Sequence, residues 1–128
     1  MSPIVLVRGI VFPTKYFDDG GAWYITKANA LEACADLVGK PVSVDFDPAL
    51  VLGKVVSAWL DDKGNMVADL MLGHKDASKY ALSGEYRELA LGMKFSWASF
   101  DGMTEVALVR ASKLEGSPIQ EVKVVSLC

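Results

Sequence analysis

Histidine is nearly missing from this sequence, which holds one, His74, in 128 residues. Cysteine is scarce too, with Cys34 and Cys128 alone. No His/Cys spacing for a metal site can be built from these, and no cofactor or metal is expected. Two cysteines also exclude a disulfide-stapled scaffold; a Cys34–Cys128 bridge stays open, with two reduced thiols in a cytosolic setting the favoured reading. An excess of basic residues is absent: 13 Lys and Arg face 16 Asp and Glu, a net charge of −3. That balance argues against a phosphate-binding surface, so no nucleic-acid partner is expected. No stretch approaches the roughly 20 apolar residues of a membrane span, so no membrane partner is expected. The apolar run Pro3 to Phe12 is interrupted by Arg8 and has neither a charged leader nor a cleavage site, so it does not read as a signal peptide. Repeats, low-complexity tracts and linkers are lacking as well. One globular domain over residues 1–128 is the expectation, with 52% apolar and 23% charged residues to build it.

What is present is alternation. Ile4 to Phe12 reads as a first strand with a bulge at Gly9. Pro13 to Gly21 is a loop. Thr26 is the expected N-cap of a helix running to Val38, with Gly39 as its C′ residue. Leu31, Cys34, Ala35 and Val38 would form its apolar stripe, with Glu32 and Asp36 facing away. In Pro41 to Asp47, Val42, Val44 and Phe46 alternate with Ser43, Asp45 and Asp47, a half-buried strand. Gly53 to Leu60, a turn at Asp61 to Asn65 and Met66 to Leu72 make a hairpin. Asp76 to Ala90 has weak helical character, with Gly84 inside it, as one helix or two short ones. Met93 to Phe100 alternates again, Asp101-Gly102 is expected to turn the chain, and Glu105 to Arg110 is apolar on both faces, as a central strand would be. Ala111 to Pro118 is a loop and Val122 to Leu127 a last strand. The fold class expected is mainly β with α: a small, partly closed β-barrel of about six or seven strands with one or two helices packed outside.

The order Pro41-Val-Ser-Val-Asp-Phe-Asp47, Gly53-Lys54-Val55, Asp62-Lys-Gly64, an amphipathic helix, Leu91-Gly-Met-Lys-Phe-Ser96, Glu105-Val-Ala-Leu-Val109 and Gly116-Ser-Pro-Ile119 resembles the assemblin-type serine proteases, the herpesvirus assemblins and tailed-phage prohead proteases. The resemblance spans roughly Val5 to Ile119 and implies their barrel fold. It also implies a serine nucleophile, a histidine base and a third residue orienting the histidine. This chain departs from that pattern. Phe46 stands where the family has its catalytic histidine, and the nucleophile falls on Lys94 in one register or on Ser96 in the other. The first register leaves no hydroxyl and the second no base, so the expectation is no catalytic residue, with Phe46, Lys94 and Ser96 as vestigial positions. Phe46 is expected to pack its ring beside Val42 and Val44.

Other residues compete for those roles. His74 could be a displaced base, though a solvated loop histidine beside Lys75 and Asp76 is favoured. Asp45 and Asp47 could replace the base, but strand alternation would send both to the face opposite Phe46. Lys94 with Ser96 could form a Ser-Lys dyad; an exposed strand pair is the plainer reading. Trp59 and Trp97 read as core or interface residues and Trp23 as an exposed contact. The resemblance therefore implies a non-catalytic structural protein of a tailed-virus head, a capsid decoration or cement subunit or a head-assembly factor. Its partner would be the major capsid protein lattice, its location the virion, and self-association is expected. The two ends of the chain and the loop from Pro13 to Tyr24 are the expected contact regions. An active maturation protease with a rearranged site and an unrelated β-barrel binding module are the alternatives.

Overall fold

The computed structural model describes residues 4–17, 25, 29–96, 99–112 and 116–125, with backbone alone at 95, 96 and 99–101. Seven strands form one curled half-barrel sheet. They are β1 (Ile4–Phe12), β2 (Pro41–Val44), β3 (Val51–Leu60), β4 (Met66–Leu72), β5 (Glu88–Ser96), β6 (Ser99–Val109) and β7 (Ile119–Val125). Two helices, α1 (Ala30–Leu37) and α2 (Ala77–Ala81), interrupt them. The sheet order is β5-β6-β2-β3-β4-β1-β7. Every neighbouring pair is antiparallel except β2 with β6, where Val42, Ser43 and Val44 lie beside Val106, Ala107 and Leu108 in parallel. The edges touch at one point, where Glu88 bridges Pro118 and the Leu89 and Ile119 N–H groups donate to Ser117 and Arg87 carbonyls.

Side chains alternate as a curled sheet with a solvated outer face requires. In β1, Val5, Val7 and Val11 point inward while Leu6 and Arg8 point out. Their inner partners include Leu52, Val55, Leu70, Leu72, Leu89, Val106 and Leu108, all at most 2% exposed. β6 is buried on both faces from Val106 to Val109, as its central place between β5 and β2 demands. The bulge expected at Gly9 is displaced: the pairing with β7 does shift beside Gly9, but the extra residue there is Gln120 of β7, and the extra residue of β1 is Val11, opposite β4. Glycine is required by close approach, since a Cβ would lie 2.8 Å from the Pro118 carbonyl oxygen.

Several boundaries differ from the sequence reading. The apolar face of α1 is Ala30, Ala33, Cys34 and Leu37, which join the sheet's core, whereas Leu31 is 71% exposed and Val38 lies beyond the helix. Two small alanines face the core because the helix lies close against β3 and β6, leaving its larger apolar neighbours in solvent. Asp36 does face away from that core, and its carboxylate accepts the Met103 N–H at 2.6 Å, tying α1 to β6. The helix expected over Asp76 to Ala90 shrinks to the five residues of α2. Leu82 N–H closes its last turn on Ser78, Gly84 takes φ 79°, and the alternation of Leu89 and Leu91 starts β5 at Glu88. Asp101-Gly102 does not turn the chain; it lies within β6, and β5 and β6 meet at Ser96 and Ser99. β3 starts at Val51 and β7 at Ile119, each earlier than expected. Thr26, residues 18–24 of the expected contact loop with Trp23 among them, Trp97, the Ser96 side chain and Cys128 lie outside what is described.

Candidate functional site

β2 stops at Val44, and this changes what Phe46 can do. The Asp47 N–H donates to the Val44 carbonyl at 2.9 Å, closing a tight turn with Asp45 at φ 52° and Phe46 at φ 59°. Two successive left-handed residues define the type I′ geometry. Past the end of the strand, alternation no longer applies. Phe46 does not pack beside Val42 and Val44; it is 40% exposed. Asp47 is not a strand residue either, and its carboxylate accepts the Ala49 N–H at 2.9 Å.

The register of β6 fixes the distance between the resemblance's site positions. Val44, two residues before Phe46, pairs with Leu108, and Lys94 pairs with Gly102. Leu108 and Gly102 are six residues apart, about 20 Å of strand at ~3.3 Å per residue. Ser96 pairs with Ser99, farther still from the Phe46 end. The fold thus sets Phe46 at one end of β6 and Lys94 and Ser96 at the other. Lys94 is exposed.

His74 belongs to the Phe46 end of the sheet. Its N–H donates to the Leu52 carbonyl at 3.0 Å, and its Nδ1 accepts the Asp76 N–H at 3.0 Å at the entry to α2. Backbone and ring are both used to shape that turn. Cys34 is a free, buried thiol, and burial pushes its pKa up, which disfavours the thiolate.

Between the two ends lies a pair that the sequence did not reveal. Ser43 is fully buried on the outer side of β2, and its hydroxyl donates to Glu105 Oε2 at 2.6 Å. Ser43 lies beside Ala107, two residues from Glu105, so both side chains share one face. Across β6, Gly92 pairs with Glu105, and a Cβ there would collide with the Thr104 hydroxyl and lie 3.1 Å from Glu105 Cγ. The short, fixed hydrogen bond and the close strand approach make this a packed polar joint. A serine with no exposed surface has no route to a substrate. The signal for it was Ser43 inside the Pro41 to Asp47 motif, but its partner lies 62 residues on.

A second concave surface lies on the outer face of β3, β4, β1 and β7, a groove of about 260 Å³ lined by Leu6, Arg8, Val56, Asp69, Glu121 and Lys123. Arg8 forks onto Asp69, with Nε to Oδ1 at 2.7 Å and Nη2 to Oδ2 at 3.0 Å, and stacks 5.0 Å from the Trp59 ring. Hydrogen bonding to Asp69, then its charge, raises the Arg8 pKa. Strand register places these charges directly opposite one another. Trp59 is partly buried on the outer face of the sheet, under the Arg8 guanidinium. No group of three His, Cys, Asp or Glu side chains poised for a metal occurs among the described residues. None of the described helices is long and apolar enough to cross a membrane.

Set against known proteins, the sequence matches no family model and no curated relative. The fold does match solved structures. Against Kaposi's sarcoma herpesvirus (KSHV) protease in complex with a hexapeptide phosphonate inhibitor, the TM-score is 0.68 at 10% identity, over 94% of this chain and 65% of that one. Varicella-zoster virus protease gives 0.63 at 19% identity, over 97% and 65%. The KSHV protease with an allosteric inhibitor gives 0.62 at 10% identity, over 95% and 76%. The likeness establishes an assemblin-like fold, and the chain spans 65% of the length of the first two proteases.

Proposed function

We propose that this chain is a non-catalytic structural protein of a tailed-virus head, a capsid decoration or cement subunit or head-assembly factor on a protease-like fold, with the major capsid protein lattice as its partner. The observation that carries this reading is the separation along β6: Phe46 at the Leu108 end, Lys94 and Ser96 toward Gly102 and Ser99. Nucleophilic catalysis needs nucleophile and base within hydrogen-bond reach, about 3 Å. On this reading Phe46, Lys94 and Ser96 do not make up one working site, and His74 is a turn residue. The test is quantitative mass spectrometry of purified mature particles, paired with fluorophosphonate labelling of the isolated protein. A fixed ratio to the capsid protein and no labelled serine are expected. Absence from particles, or stoichiometric labelling abolished by Ser96→Ala, would overturn the reading.

A further inference from the structure

β7 ends the sheet order, so among the described residues its outer edge from Gln120 onward carries no paired strand. Such an edge presents a row of backbone donors and acceptors that another strand can complete. Its sequence is Ile119-Gln-Glu-Val-Lys-Val-Val125. Glu121 and Lys123 lie on the outer face, exposed, with Lys123 Nζ 3.5 Å from Glu121 Oε1. Val124 and Val125 are 47% and 38% exposed, a large share for apolar side chains on one short strand.

We propose that this edge pairs antiparallel with the same edge of a second copy of the chain, about a two-fold axis through Val122. That register sets Glu121 opposite the partner's Lys123 and Lys123 opposite the partner's Glu121. It also sets Val122 against the partner's Val122 on the inner face of the sheet. Each charge meets its opposite around an apolar centre, so this stretch is complementary to itself, as an isologous interface requires. The neighbouring registers fail. A slip of one residue puts opposed side chains on different faces of the sheet. Moving the axis to Glu121 sets two glutamates together, and moving it to Lys123 sets two lysines together, both unfavourable when directly opposite. Of these registers, only the one centred on Val122 is free of repulsion. The pairing would join two seven-stranded sheets into one, and it would bring the two outer grooves, whose rims carry Glu121 and Lys123, to either side of the axis.

Sedimentation equilibrium of the full chain tests this with a charge exchange. The unmodified protein is expected to dimerise. Lys123→Glu places glutamates opposite each other twice and should weaken the dimer roughly ten- to a hundredfold. Glu121→Lys should do the same. The double exchange, Glu121→Lys with Lys123→Glu, restores opposite charges across the axis and should return the dimer to near its original strength. Both residues are exposed, so circular dichroism should report an unchanged fold in every variant. A monomeric unmodified chain would mean that these charges guard the edge, and would overturn the proposal. So would dimers insensitive to Lys123→Glu, or a double exchange that fails to re-form them.

Discussion

A phenylalanine at φ 59° with 40% of its surface in solvent contributes differently from one in a core. The left-handed region disfavours a residue bearing a Cβ by about 1–2 kcal/mol, and glycine there relieves it. Phe46→Gly loses some ring contact and gains that relief, so the net change in urea-unfolding stability should stay within about 1 kcal/mol. A buried Phe cut back to Ala loses 3–5 kcal/mol. A loss in that range would place the ring in the core after all. The Phe46→His, Lys94→Ser pair should remain unreactive toward fluorophosphonate, because the two ends of β6 do not converge. Ser43 is the opposite case, a buried hydroxyl bonded to a carboxylate. Ser43→Ala should cost about 1.5–3 kcal/mol, the range for a hydrogen bond to a charged group. A double-mutant cycle with Glu105→Ala should return most of that as coupling; additive losses would show the pair to be incidental.

Among the elements, the β3–β4 turn carries the best-defined pH dependence. Asp61 accepts the N–H groups of Lys63 and Asn65, each at 2.9 Å, and the Asn65 amide at 3.1 Å. Burial pushes its pKa up, but the Asn65 side-chain and backbone bonds, the Lys63 N–H and the Lys63 charge outweigh that, and the net shift is downward. A carboxyl whose folded pKa is depressed contributes stability fully above its unfolded value, about 3.9, and loses it as pH falls through the lowered one. The stability gap between the unmodified chain and Asp61→Asn should therefore be full at neutral pH and close in acid, below about pH 4. A gap constant across acid pH would refute it. The turn itself was legible, because Gly64 and Asn65 announce it. So was β1, where Val5 and Val7 alternate with Leu6 and Arg8 against a solvated outer face. The helix α1 and its buried Cys34 were legible too, but the rest of its buried face was not, because Leu31 and Val38 are apolar yet point to water while Ala30 and Ala33 carry the contact. The end of β2 was hidden for a similar reason: neither Asp45 nor Phe46 is the glycine that normally marks left-handed backbone. The polar joint of Ser43 with Glu105 was invisible because its partners meet through strand order, which local periodicity does not encode.

At the scale of the molecule, the seam between β2 and β6 holds the β5–β6 hairpin to the rest of the sheet through three paired residues on a four-residue strand. A chain ended at Gly102 would leave Val42 and Val44 on an open edge and strip Leu89 of its β6 neighbours. It should aggregate, with most of the fragment in the pellet after centrifugation at a temperature where the full chain stays dispersed. A dispersed, protease-resistant fragment would show that the seam is dispensable.

The same seam sets a schedule for the chain's birth. Val42 leaves the ribosome 64 residues before its partner Val106. At about 5–20 residues per second, that is roughly 3 to 13 seconds with a strand edge unoccupied. The β1–β4 and β3–β4 pairings can form in that interval, but β2 waits. A nascent chain of this protein is therefore a β2-β3-β4-β1 sheet open at both edges, and whatever attends its synthesis has to shield the β2 edge until β6 arrives.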